Sequence, residues 1–357
     1  MKKLLILLPL LAAGCGDWFD MPGTRGSGDE NVPSNLNKVD FSQVPGWRDD
    51  DLRYALKSFK NTCKGRVQYE GRVRPDRELL EEKCRYLPSE SADISVVRKW
   101  FEDHFQAYRV SDENGGRAGR MTGYYSPTIS ASRTRQGQFT EPLMGLPKDG
   151  RDFKGVDKKT ILAQGIGTPL YWAHPVDVQN IQIQGSGVLK LEDGKLVKLN
   201  FASTNDVPFN SPGKQLQDRG IRPTNGMAAA AVWEYLKTEP ALAREIIDGN
   251  PRYVYFAEAG SFDVIGKLGV PLQKIRSIAV DDSIYTLGMP IFIDTTLRDG
   301  TKFQRLMVAQ DRGEAIKGWV RADIFFGIDA EAEHFASGQN QQGAAFVLLP
   351  KRYSGGR

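Results

Sequence analysis

The sequence predicts a mainly β protein with some helices, and barrels as its architecture. Three observations carry this. From about Gly119 the chain breaks into short segments separated by turns rich in Gly, Pro and Asn. Within them VLKLEDGKLVKL alternates apolar and polar residues about an Asp193-Gly194 hairpin signal. Many short strands, evenly spaced turns and few helices are the pattern of barrels. No repeat of fixed period is present, so solenoids and propellers are excluded.

The elements follow in order. Met1-Lys2-Lys3 is a basic start, and Leu4 to Ala13 is an apolar run too short to span a bilayer, which needs about 20 residues. With the small residues before Cys15 it reads as a signal peptide over 1–14. LAAGC resembles a bacterial lipobox, with Cys15 as the lipidated first residue of the mature chain. An ordinary cleaved signal with an incidental cysteine is the alternative. Gly16 in place of aspartate favours an outer-membrane lipoprotein facing the periplasm. Residues 15–37 read as anchor and flexible tether. Leu52 to Cys63 and Arg77 to Arg85 read as short helices. Ser95 to Arg109 reads as a longer one, with Val97, Trp100, Phe101, Phe105 and Tyr108 on one buried stripe. MTGYYSPTIS, TPLYWAHP and VQNIQIQGSGVLKLEDGKLVKLNFAS read as strands and turns. Asn225 to Asp248 reads as two helices, with Pro240 near the start of the second. YVYFAEA, SIAVD, PIFIDTT, RLMVAQD and AFVLLP return to strands, with a helix over Ala330 to Ala336.

Composition narrows the function. The chain has 357 residues, is 26% charged and carries a net charge of +4 with both signs interspersed. Without a concentrated basic stripe, nucleic acid is not an expected partner. Three cysteines and three histidines lie too far apart for metal-ligand spacing, and no cofactor is expected. Besides Cys15 only Cys63 and Cys84 remain. In an exported protein an even pair reads as one disulfide, contributing roughly 3 kcal/mol by loop entropy; two buried free thiols are the alternative. QGSG lacks the spacing and helix-opening context of a phosphate loop.

Three aspartates share one design. Asp281 and Asp311 each end an apolar strand, and Asp323 joins WVRA to IFFG. At the rim of a core such carboxyls are desolvated, which raises their pKa, as a general acid at neutral pH requires. The plain alternative is a turn-forming aspartate at each strand end.

SIAVDDSIYTLGMPIFIDTT, RLMVAQDRGEAIKGWVRADIFFGIDAEAEHFA and FVLLP together resemble the three-aspartate domain of the A-type lytic murein transglycosylases of bacteria. TGYYSPTISASRTRQGQFTEPLMGLP and IQIQGSGVLKLEDG resemble two further signatures of that family. The resemblance implies a double-psi β-barrel with a second, smaller β-barrel inserted and a groove between them for a glycan strand. The first would take residues 38–124 plus 251–357, with the three-aspartate segment at about 277–350; the insert would take 125–250. It implies that Asp323, before Ile324-Phe325-Phe326-Gly327, is the catalytic acid and base, with Asp311 shaping its pKa and Asp281 structural. Tyr124 and Tyr125 would stack on sugars or pack the core. Gln184, Gly185 and Ser186 would bind sugar substituents or form a tight strand turn. Lys317 would meet a substrate carbonyl or carboxylate, or be a plain turn lysine; Gly313 and Gly318 would allow close backbone approach. The implied activity is cleavage of the bond between N-acetylmuramic acid and N-acetylglucosamine, leaving a 1,6-anhydro ring. The implied partners are peptidoglycan strands, a membrane reached through the lipid anchor, and wall-synthesis proteins, the chain itself being a monomer. Two departures stand out. Glu314 replaces a family glycine, and FASTND replaces a Tyr-Ala-Gly-x-Asn-Gly stretch. They leave room for a non-catalytic, expansin-like wall-binding lipoprotein; a hydrolase using Asp311 and Asp323 together is a further alternative.

Overall fold

The computed structural model describes residues 32–328 and 330–352. Cys15 and the signal segment lie outside them. A short strand, β1 (Leu36–Val39), is followed by three helices, α1 (Leu52–Thr62), α2 (Arg77–Arg85) and α3 (Ile94–His104). Each helix starts on an aspartate side chain: Asp51 accepts from Arg53 N, Asp76 from Leu79 N and Asp93 from Ser95 N. The disulfide is present, joining Cys63 to Cys84 and so the end of α1 to α2.

The helix expected to reach Arg109 stops at His104. Phe105 is already extended, and β2 (Phe105–Val110) follows without a loop. Phe105 and Ala107 enter the same core as Trp100 and Phe101, so the apolar spacing ran on across a junction that pairing with other strands imposes. Phe59 of α1 packs in this core, its ring 5.7 Å from Phe105 and 6.0 Å from Trp100.

The chain continues through β3 (Gly119–Tyr124), β4 (Thr128–Ser132), β5 (Glu141–Gly145), α4 (Lys158–Gln164), β6 (Thr168–Ala173) and α5 (Pro175–Gln184). VQNIQIQ is therefore helix, not strand. His174 caps it, Pro175 sits in its first turn, and Gly185, at φ +77°, ends it. Those bracketing residues outweigh the short apolar alternation. Next come β7 (Ser186–Leu191), β8 (Leu196–Thr204), α6 (Pro212–Asp218), α7 (Ala229–Thr238), α8 (Pro240–Asp248) and β9 (Val254–Glu258). The last part holds β10 (Ser277–Val280), β11 (Pro290–Thr296), β12 (Lys302–Arg312), β13 (Ala322–Phe325), α9 (Ala330–Gly338) and β14 (Asn340–Pro350).

These strands form two sheets. The first runs β1-β2-β14-β11-β12-β10-β13-β3, and β14 also pairs with β3. That pairing closes β14, β11, β12, β10, β13 and β3 into a six-stranded barrel. β10 with β12 and β13 with β3 are parallel, and the barrel's other ladders are antiparallel. The buried salt bridge of Asp50 with Arg276 lies against it, Asp50 also accepting from Leu306 N at 2.8 Å.

The second sheet runs β5-β6-β4-β7-β8-β9 and curls until its edge strands meet, where Tyr253 Oη donates to Pro142 O at 2.9 Å. β9 pairs with β8, so this sheet runs to Glu258, past the boundary expected at residue 250. Helices α5 to α8 share a separate apolar cluster around Val176, Leu216, Leu236 and Ile246. Among the described residues no helix is long and apolar enough to cross a membrane.

Candidate active site

Four barrel strands bring one row of residues together. Ala279 of β10 is opposite Asp311 of β12 on one side and Asp323 of β13 on the other, and Asp323 is opposite Thr122 of β3. Laterally paired residues point to the same face of a sheet, with strands about 4.8 Å apart. The row Asp311, Ala279, Asp323, Thr122 therefore presents two carboxyls separated by one small side chain. Gly123, between Thr122 and Tyr124, points the other way. A Cβ there would lie 2.6 Å from the Phe326 ring and 2.9 Å from Ala336, so glycine lets α9 pack against β3.

Both acids are held by donors. Thr122 Oγ1 donates to Asp323 Oδ1 at 2.5 Å and accepts from Arg321 Nη2 at 2.8 Å. Asp311 Oδ2 accepts from Tyr124 Oη at 3.0 Å, and its Oδ1 accepts the Lys267 and Arg312 backbone N–H groups at 2.9 Å each. Burial pushes the Asp311 carboxyl up to about 6, those donors opposing and the nearby Asp323 charge adding to the rise. Burial also raises Asp323, against the Thr122 hydrogen bond and the Arg321 and Arg120 charges. Burial, then the two aspartates, raise the Tyr124 phenol well above its ordinary value, so it remains a donor.

Asp281 does not behave like the other two. Burial would raise it, yet the Ser283 hydroxyl, the Gly318 and Ser283 N–H groups and Lys317 hold it below the ordinary carboxylate value. It caps the turn at Ser283 and ties down the loop at Gly318, with 2.7 Å to Ser283 Oγ and 3.0 Å to Gly318 N. Lys317 forms its ion pair with this group at 3.3 Å, and none with Asp311 or Asp323.

The remaining expected residues divide. Tyr125 is only 4% exposed, too little to offer a ring face to a sugar, and its hydroxyl donates to Glu333 at 3.1 Å. Of its two expected roles, core packing is the one its burial permits. Gln184 ends α5 and accepts the Tyr125 N–H at 3.3 Å. Gly185 and Ser186 form a helix end leading into a strand, so a tight turn between strands is ruled out. Ser186 is buried and donates to Ser126 Oγ at 3.0 Å. Glu314 pairs with Arg252, just before β9, and so is engaged by a cation of the second sheet's entry segment. Asp206, where the family has glycine, takes φ +57°, a conformation aspartate tolerates better than most residues.

Three contributors escaped the sequence reading. Thr122 was legible: it lies two residues before Tyr124 on a strand, hence on the same face. Arg321 and Lys198 gave no signal. Lys198 of β8 is buried, donates to Ser126 Oγ at 2.5 Å and has no carboxylate partner among the described residues. Burial pushes its ammonium down to about 7. Ser126 N in turn donates to Gly327 O at 2.9 Å, just past the strand that carries Asp323. Among the described residues no group of three or more metal-ligating side chains comes together.

A closed barrel carrying two desolvated carboxyls on one face defines a protein equipped for general acid/base chemistry. Residues 120–166 and 152–257 match the family model described as the MltA specific insert domain, and residues 276–349 match the 3D domain. The insert match ends close to the end of β9. A membrane-bound lytic murein transglycosylase A of Vibrio cholerae serotype O1 is 31% identical over 349 residues, covering 93% of this chain and 90% of its own length. The protein of that name from Escherichia coli strain K12 is 34% identical over 241 residues, 64% of this chain and 65% of the relative. The crystal structure of E. coli MltA with bound chitohexaose superposes with a TM-score of 0.64 at 27% identity, covering 90% of this chain and 93% of that one. The chain belongs to the membrane-bound lytic murein transglycosylase A family.

Proposed function

We propose that this protein is a lytic transglycosylase. It cleaves the β-1,4 bond between N-acetylmuramic acid and N-acetylglucosamine of peptidoglycan and leaves 1,6-anhydromuramoyl ends. The observation that carries this is the row of two pKa-raised carboxyls, Asp311 and Asp323, spaced by Ala279. The relatives' names and the chitohexaose bound by the E. coli structure support it.

In this mechanism Asp323 starts protonated, kept so by burial. It donates its proton to the glycosidic oxygen as the C1–O bond breaks. The carboxylate then takes the proton from the muramoyl C6 hydroxyl, whose oxygen bonds to C1. The proton lost in the first step returns in the second, and no water is consumed. An internal nucleophile already near C1 makes a second catalytic carboxylate unnecessary. Asp311 lies beside the acid in the same row, and Tyr124 and Thr122 fix the two carboxyls. Gln184 at the end of α5 is the candidate contact for sugar substituents. The insert is assigned to residues 125–258. Cys15 carries the lipid that holds the protein to the outer membrane, facing the periplasm, where it works as a monomer alongside wall-synthesis proteins.

The test is mass spectrometry of soluble products from purified peptidoglycan, with Asp323→Asn as control. Anhydro-muropeptides that vanish in the variant are expected. Reducing-end products would replace this reading with a two-aspartate hydrolase. Binding without product would replace it with a wall-binding protein.

A further inference from the structure

One cleft lies beside the acids and has no part in the mechanism above. It is about 470 Å³ in volume, within the range of small-molecule sites. Its walls are the segment after the disulfide at Cys63, the 267–269 loop and the 282–287 loop. The Lys267 N–H in one wall is one of the three donors that hold Asp311, and Leu268 N donates to Gln310 O at 3.1 Å. The cleft thus shares a wall with the carboxyl row.

Its charges are arranged for a ligand. Lys64, Arg66 and Lys267 line it, are exposed, and make no ion pair among the described residues. Of the two carboxylates in the lining, Asp282 is engaged by Arg312 at 3.0 Å, while Glu70 has no cationic partner among the described residues. Three free cations facing one free carboxylate suit a zwitterionic guest with several carboxylates and one amine. A bare polyanion or a phosphate would leave Glu70 opposed.

We propose that this cleft binds the acidic peptide substituent of the glycan, through Lys64, Arg66 and Lys267 to its carboxylates and Glu70 to its free amine. The identity of the ligand rests on the transglycosylase reading; the existence of the site does not. Exposed charge pairs contribute modestly each, so a reversal of two cations gives roughly a tenfold effect at low salt. The effect fades at about 0.5 M salt, where screening is short-ranged.

The first test titrates a free stem tripeptide, with its glutamyl and diamino-acid carboxylates, into the intact protein by NMR or calorimetry. Salt-sensitive binding, lost in K64E/R66E, is expected; no binding, or binding unchanged in the variant, overturns the proposal. The second compares KM on peptide-bearing strands with KM on strands stripped of peptide by an amidase. The wild type should favour the substituted strands about tenfold, and K64E/R66E should lose that preference while still cutting stripped strands. Equal KM on both strands in an active wild type overturns the cleft proposal and leaves the transglycosylase in place. No product from either strand refutes the transglycosylase and leaves the titration to decide the cleft.

Discussion

Replacing Lys198 by methionine should stabilise the protein at neutral and acidic pH. The side chain is 2% exposed and its ammonium has a hydroxyl, not a carboxylate, for company. Its pKa falls from 10.5 to about 7 because burial penalises the charge. Between those values the unfolded chain holds a proton that the folded chain has lost, so stability rises with pH across the window. Above it, both states are neutral and the penalty is gone; at about pH 7 and below, the folded state carries it in full. At about 1.4 kcal/mol per pH unit, that span is worth roughly 5 kcal/mol. Losing the hydrogen bond to Ser126 costs about 1 kcal/mol in return. Urea unfolding of wild type and Lys198→Met at pH 6, 8 and 10 reads the difference directly. The advantage of methionine should be several kcal/mol at pH 6 and should shrink by pH 10. Lys158, also buried and pushed down to about 8, contributes equally to both proteins and cancels. Parallel stability curves across pH 6–10 would refute the assignment of a desolvated amine at 198.

Other perturbations read other parts of the molecule. Thr122→Val removes a hydrogen bond that favours the charged form of Asp323. The acid should then stay protonated to higher pH, moving the alkaline limb of kcat/KM up by roughly one pH unit; an unmoved limb would detach Asp323 from that limb. Asp50→Ala leaves the buried Arg276 guanidinium uncompensated and should cost about 3–5 kcal/mol in chemical denaturation. Ala279→Leu forces a larger side chain between the two acids; about 1–3 kcal/mol of overpacking should appear in melts, with kcat falling more than KM rises.

Much of this was legible in the sequence because strand residues and turn formers act locally. Asp193-Gly194 makes its hairpin, and Pro240 opens its helix as expected. The failures came where distant partners decided. Phe105 kept the helical spacing of its predecessors, yet β14 and β1 drew residues 105–110 into the first sheet, beside the barrel. By residue pattern alone Asp281 looked like the other two, and only the family resemblance set it apart as structural; donors from Ser283 and Gly318 engage it in its turn. The row of acids could be suspected residue by residue; Ala279 between them could not, because the register of β10 with both neighbours is a property of the closed barrel.

The hydrogen bond from Thr122 to Asp323 joins residues 201 positions apart, and the one from Tyr124 to Asp311 spans 187. At about 5–20 residues per second, a ribosome needs roughly 10–40 s to make the chain between Thr122 and Asp323. During that time neither carboxyl has its partner or its dry surroundings. The disulfide, by contrast, spans only 21 positions. A chain of this protein that stops short of Asp323 therefore lacks the carboxyl row and the hydrogen bond from Thr122 that holds it.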